Sequence, residues 1–143
     1  MNRINVESEA VQITVNNAGD TIILNVQDQR FMHTVTALVS EFTENAQTYK
    51  AKCEEIAAMP HDTTEEKFAQ LTAVAAVSNE ICSMLKEKVD NVFGADTCKK
   101  VFGDIVPSID AFADFFNQLS VIIGERCSFR MEKLRQYTEK YSA

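Results

Sequence analysis

Four cysteines, two histidines and one closely spaced pair of aspartates are the side chains whose types and spacing bear on chemistry in this 143-residue sequence. Cys53, Cys82, Cys98 and Cys127 are widely separated, and no two stand in a CxxC arrangement. Without that spacing they are expected as reduced, mostly buried thiols rather than a disulfide framework or a zinc site. His61 follows Pro60 in a turn, and His33 sits one position off the apolar stripe of its helix. Neither belongs to an HExxH pattern, so metal ligands would have to be gathered by the fold alone. A Cys–His nucleophile has no local signature either. Asp110 and Asp114 lie one helical turn apart, a spacing that suits paired carboxylates in acid–base catalysis. Both also fall in the first turns of a helix, where the dipole favours negative charge, and that is their simpler role. The four glycines form no GxGxxG or P-loop pattern, so no phosphate cradle is expected. These residues predict a non-enzymatic protein with no catalytic residues, no bound metal and no cofactor.

The elements that position these side chains follow from the apolar pattern. In residues 1–26, Val11, Ile13 and Val15 alternate with polar residues. Asn16-Asn17-Ala18-Gly19-Asp20 then supplies a turn, and Ile22, Leu24 and Val26 share one face of a second strand. Alternation on both sides of a glycine-containing loop predicts a β-hairpin. Ile4 and Val6 suggest an earlier strand, and their even positions require a bulge near residues 7–10. From Asp28, a plausible N-cap, the spacing changes to three and four: Phe31, Val35, Leu38, Phe42, Tyr49, Cys53 and Ile56 mark a helix over 28–59, stopped by Pro60. A Thr63–Glu66 capping box opens a second helix over 63–93, with Phe68, Leu71, Ala75, Ile81, Leu85, Val89, Val92 and Phe93 as its buried face and Gly94 as its stop. A short helix over 96–102 ends at Gly103. The last helix, 108–141, carries Ile109, Phe112, Phe116, Leu119, Ile123, Cys127, Met131 and Leu134 along one stripe. The echo of Val92-Phe93-Gly94 in Val101-Phe102-Gly103 reads as two successive helix stops. The expected fold is mainly α: a bundle of long helices with a small N-terminal β-hairpin, in a single domain spanning 1–143.

Charge narrows the partners. Residues 1–124 carry a net charge of −9 and residues 125–143 one of +2. An acidic body repels phosphate backbones, so nucleic acid is not an expected partner. No uninterrupted run of about 18 apolar residues is present, so no membrane span is expected. The first residues lack the apolar stretch of a signal peptide, which points to the cytoplasm. Apolar surface remains as the means of function. Phe112, Phe116, Leu119 and Ile123 line one stripe of the last helix, widened by Phe115 and Ile122. Such a stripe serves either as core or as a face for a partner helix or a second copy, and these four are the candidate partner-binding residues.

The stretch Val92-Phe93-Gly94-Ala95-Asp96-Thr97-Cys98-Lys99-Lys100-Val101-Phe102-Gly103-Asp104, followed by the Phe-rich Ile109-Asp110-Ala111-Phe112-Ala113-Asp114-Phe115-Phe116, resembles the tail assembly chaperones of long-tailed bacteriophages and prophages. The resemblance covers residues 92–119. It implies a helical chaperone in the bacterial host cytoplasm that binds the tape measure protein, recruits tail tube protein and forms a homo-oligomer. The hairpin has no counterpart that maps onto this pattern. From the residues alone, a helical adaptor or regulatory domain that dimerises through its long helices is the competing expectation.

Overall fold

The computed structural model describes residues 2–141. It is mainly α, as the periodicity predicts, with a small two-stranded antiparallel sheet ahead of the helices. The elements are β1 (Ala10–Thr14), β2 (Thr21–Asn25), α1 (Gln29–Ala57), α2 (Thr64–Phe93), α3 (Thr97–Phe102) and α4 (Ile109–Tyr141). The chain divides into two units, Met1–Ile109 and Asp110–Ala143.

In the first unit, β1 pairs with β2 so that Val11 faces Leu24 and Ile13 faces Ile22. Ile22, Leu24 and Val26 are buried while Ile23 points outward, the alternation expected of a half-covered sheet. Gly19 takes a φ of +87° at the turn. Asn16 closes that turn by accepting from the Asp20 amide at 3.1 Å, and its own amide donates to the Lys100 carbonyl at 3.0 Å, tying the hairpin to α3. The expected earlier strand does not form: Ile4 and Val6 are 92% and 78% exposed. A side chain takes over there. Gln27 accepts from the Glu9 amide at 2.9 Å and donates to the Glu7 carbonyl at 2.8 Å, replacing backbone pairing beyond Ala10.

Asp28 caps α1 as expected, its carboxylate accepting from the amides of Arg30 and Phe31. The helix ends at Ala57 rather than Met59, and Gln70 of α2 bonds the carbonyls of Ile56 and Met59 at 3.0 and 3.1 Å. The Thr63–Glu66 capping box is complete, with both hydrogen bonds at 3.1 Å. The α1 and α2 helices run antiparallel, joined by Phe31 edge-on to Phe93, by Glu41 to Lys88 at 2.7 Å and by Tyr49 to Ser78 at 3.0 Å. The core lies at one end of this pair, where Val35, Leu38, Cys82, Leu85 and Val89 are buried and β2 packs on α2. Gly94 and Gly103 both take positive φ, so the repeated Phe-Gly is two helix stops.

The second unit is α4. Its first turns bury Phe112, Phe116 and Leu119, and Phe116 stacks with Phe112 and meets Phe115 edge-on. Beyond Ile123 the helix is largely exposed. Arg135 pairs with Glu132 and Glu139 along its own helix, and the pairing holds the Glu132 carboxyl below its ordinary pKa.

Candidate functional site

The chemistry-bearing residues do not converge. Among the described residues no group of three His, Cys, Asp or Glu side chains could hold a metal ion. His33 and His61 are exposed, and His61 engages only the Met59 carbonyl, at 2.9 Å. Asp110 and Asp114 are both exposed. Cys127 is exposed, Cys53 half-buried, and Cys82 and Cys98 are buried. Burial raises the Cys82 thiol above its usual range. Cys98 is pushed up to about 12, first by burial and then by the neighbouring Asp90 carboxylate. A thiol held protonated in this way is a poor nucleophile.

The segment that carries the chaperone resemblance forms a tightly bonded corner between α2 and α3. Asp96 adopts a left-handed conformation with φ of +68°. Thr97, 2% exposed, donates its hydroxyl to the Gly94 carbonyl at 2.7 Å. The Cys98 amide donates to the Asp90 carboxylate at 2.9 Å, and the Cys98 thiol reaches the Lys86 carbonyl at 3.6 Å. Asp90, Thr97 and Cys98 are used here to turn the chain, so these three residues serve the fold.

Apolar surface is a different matter. Of the four candidate partner-binding residues, Phe112, Phe116 and Leu119 are buried and Ile123 is half-buried. In this conformation the first three offer a partner no surface. The same stripe continues into exposed positions at Cys127, Met131 and Leu134, the last two 66% and 58% exposed. On another side of α4, Val121, Ile122 and Phe129 lie within about a third of the helix circumference, by the 3.6-residue turn. Val121 and Phe129 are exposed and Ile122 is half-buried.

The expected buried face of α2 is likewise only half covered. Ile81, Leu85 and Val89 are buried, but Phe68 and Leu71 are 63% and 66% exposed and Ala75 is exposed. Nothing in the described residues covers the start of the stripe. At the other end of α2, an open groove of about 250 Å³ runs between α1 and α2, lined by Ala37, Leu38 and Val92, with the Glu41–Lys88 pair as its charged part. By length and composition α2 is also apolar enough to cross a membrane. Its apolar run is interrupted by Gln70, Thr72, Ser78 and Asn79, and Glu80 is the one charge between Phe68 and Leu85.

Sequence periodicity finds these apolar stripes but misses where each one emerges from the core. It also misses Thr97 as a buried polar anchor and Gln27 as a substitute for strand pairing. Their types carry no signal, since both roles depend on partners brought in by the fold.

Neither the curated proteins nor the solved structures include a match to this chain. One family model covers residues 18–143, all but the first residues and β1. The chain therefore belongs to a family of unknown function, DUF6673.

Proposed function

We propose that this protein binds other proteins through exposed apolar helix faces, and that it is a phage tail assembly chaperone whose client is the tape measure protein. The observation that carries the first part is the apolar surface of α4, where Val121, Phe129, Met131, Leu134 and Tyr137 are each at least half exposed. Large apolar side chains on more than one side of a helix are a poor use of surface unless something covers them. They suit a long helical client, which would lay its own apolar face against them. The client face assigned here is Val121, Ile122 and Phe129. The second part rests on the resemblance at residues 92–119, which brings with it tail tube recruitment, homo-oligomers and the bacterial host cytoplasm. A transient holding function needs surfaces rather than reactive groups, which fits the scattered cysteines and the protonated Cys98 thiol.

The test is co-expression with the protein encoded by a neighbouring gene for a very long helical chain. The chaperone reading expects that protein to be insoluble alone and soluble with this one, and the two to co-purify. A client equally insoluble in both cases, with this chain folded and abundant, overturns the reading.

A further inference from the structure

The two half-covered stripes end in surfaces of opposite charge. At the α1–α2 turn, residues 54–66 hold five carboxylates and no Lys or Arg, beside the exposed Met59, Phe68 and Leu71. In α4, residues 126–135 hold four Lys or Arg and one Glu, and of these Arg130 and Arg135 flank the exposed Met131 and Leu134 around the helix. We propose that copies of this chain join turn to tail, the acidic, apolar α1–α2 turn of one copy receiving the basic, apolar last turns of α4 from another.

The occupant is fixed by charge and by geometry together. Two acidic turns repel each other, as do two basic tails, whereas turn and tail attract and bring an apolar stripe from each side. Both surfaces are helical and expose side chains at steps of three and four, Phe68–Leu71 on one and Cys127–Met131–Leu134 on the other, so each offers ridges to the other's grooves. Both stripes also continue directly from faces that are buried in the same helix, Cys82 and Val89 in α2 and Phe112 and Phe116 in α4. A second copy would carry that burial onward. A single turn-to-tail contact leaves a free turn on one copy and a free tail on the other, so association either closes reciprocally as a dimer or extends into a chain. Exposed charge pairs are screened over about 10 Å at 0.1 M salt, so the contact weakens as salt rises.

This deepens the homo-oligomer part of the function proposed above and uses a side of α4 other than the client face. It is tested on the purified full chain without client, so its failure leaves client rescue unaffected. The experiment is sedimentation velocity on the wild type, on Phe68→Asp, on Leu134→Asp and on a one-to-one mixture of the two variants, with far-UV circular dichroism as the check on folding. Both substituted side chains are exposed, so helicity should not change. The wild type is expected to associate with concentration and to dissociate with salt. Each variant alone should associate at least about tenfold more weakly, as expected for loss of a central apolar anchor. The mixture should form a heterodimer and nothing larger, because one intact tail and one intact turn remain. A wild type that stays monomeric, a Phe68→Asp variant that associates like the wild type, or a mixture that stays monomeric overturns the proposal. A second route avoids apolar changes. Glu54→Lys with Glu55→Lys should weaken association, and mixing with Arg130→Glu plus Arg135→Glu should restore it; failure to restore counts against the proposal.

Discussion

Leu71, Cys82 and Val89 occupy one line along α2, yet Leu71 is 66% exposed while Cys82 and Val89 are 2% and 0%. The two ends of this helix differ in what holds them. At the covered end, β2 and α1 pack against the apolar face, and the Asp90–Cys98 and Thr97–Gly94 hydrogen bonds fix the chain as it leaves the helix. At the uncovered end Ile56 is buried, and the other ties are polar: the Thr63–Glu66 box and the Gln70 amide on the carbonyls of Ile56 and Met59. The same contrast appears in α4. Phe116 and Leu134 are five turns apart at the same position around the helix, 2% and 58% exposed. An apolar stripe therefore records that a face is meant to be covered without recording what covers it.

The largest expected effect breaks the covered end. Leu85, fully buried, should cost about 2–5 kcal/mol as Leu85→Ala, by lost burial and the cavity left behind. Leu71→Ala on the same helix should stay within about 0.5 kcal/mol, since an exposed side chain gives up little on truncation. Urea unfolding of both variants measures the comparison directly, and equal losses would show that the stripe is covered along its whole length. Next comes the corner. Thr97→Val keeps the shape but removes the hydroxyl that the Gly94 carbonyl accepts, for an expected loss of about 1–3 kcal/mol in the same melts. The uncovered end should be less sensitive. Thr63→Ala removes one half of the capping box at a cost of about 1 kcal/mol, with hydrogen exchange rising first in the opening turn of α2.

A further effect is in pH. Cys98 is an acid whose folded pKa, about 12, lies above the ordinary 9.0. Below 9 the thiol is protonated in both states and contributes no pH dependence. Between about 9 and about 12 the unfolded thiol ionises and the folded one does not, so stability falls as pH rises through that window. Cys98→Ser melts, compared with wild type between pH 8 and 10, should lose this slope. Thiol labelling of dilute, unassociated protein gives the matching kinetic contrast: Cys127 should react at once, and Cys82 and Cys98 only as fast as the chain opens.

Features written in local sequence were readable in advance. The Asp28 cap, the Thr63–Glu66 box, the Gly94 and Gly103 stops and the hairpin around Gly19 each depend on residues within a few positions of one another. The strand expected at Ile4 and Val6 was not, because a strand exists only when a neighbour supplies its ladder, and there the Gln27 side chain ends the pairing. The candidate surface was half readable. Periodicity placed Phe112, Phe116, Leu119 and Ile123 on one stripe, but burial depends on what lies opposite, so it did not separate these from Met131 and Leu134 further along. Phe129 and Val121 fall outside that stripe and stand out only through their exposure.

The central claim is that α4 presents an apolar face to a protein client. Its most direct test is the soluble fraction of a co-expressed tape measure protein with the wild type and with Phe129→Asn, an uncharged change at an exposed site that should leave the fold and the turn-to-tail association intact. The account predicts that Phe129→Asn abolishes the rescue while helicity and oligomeric state match the wild type. Undiminished rescue by the folded variant would contradict it.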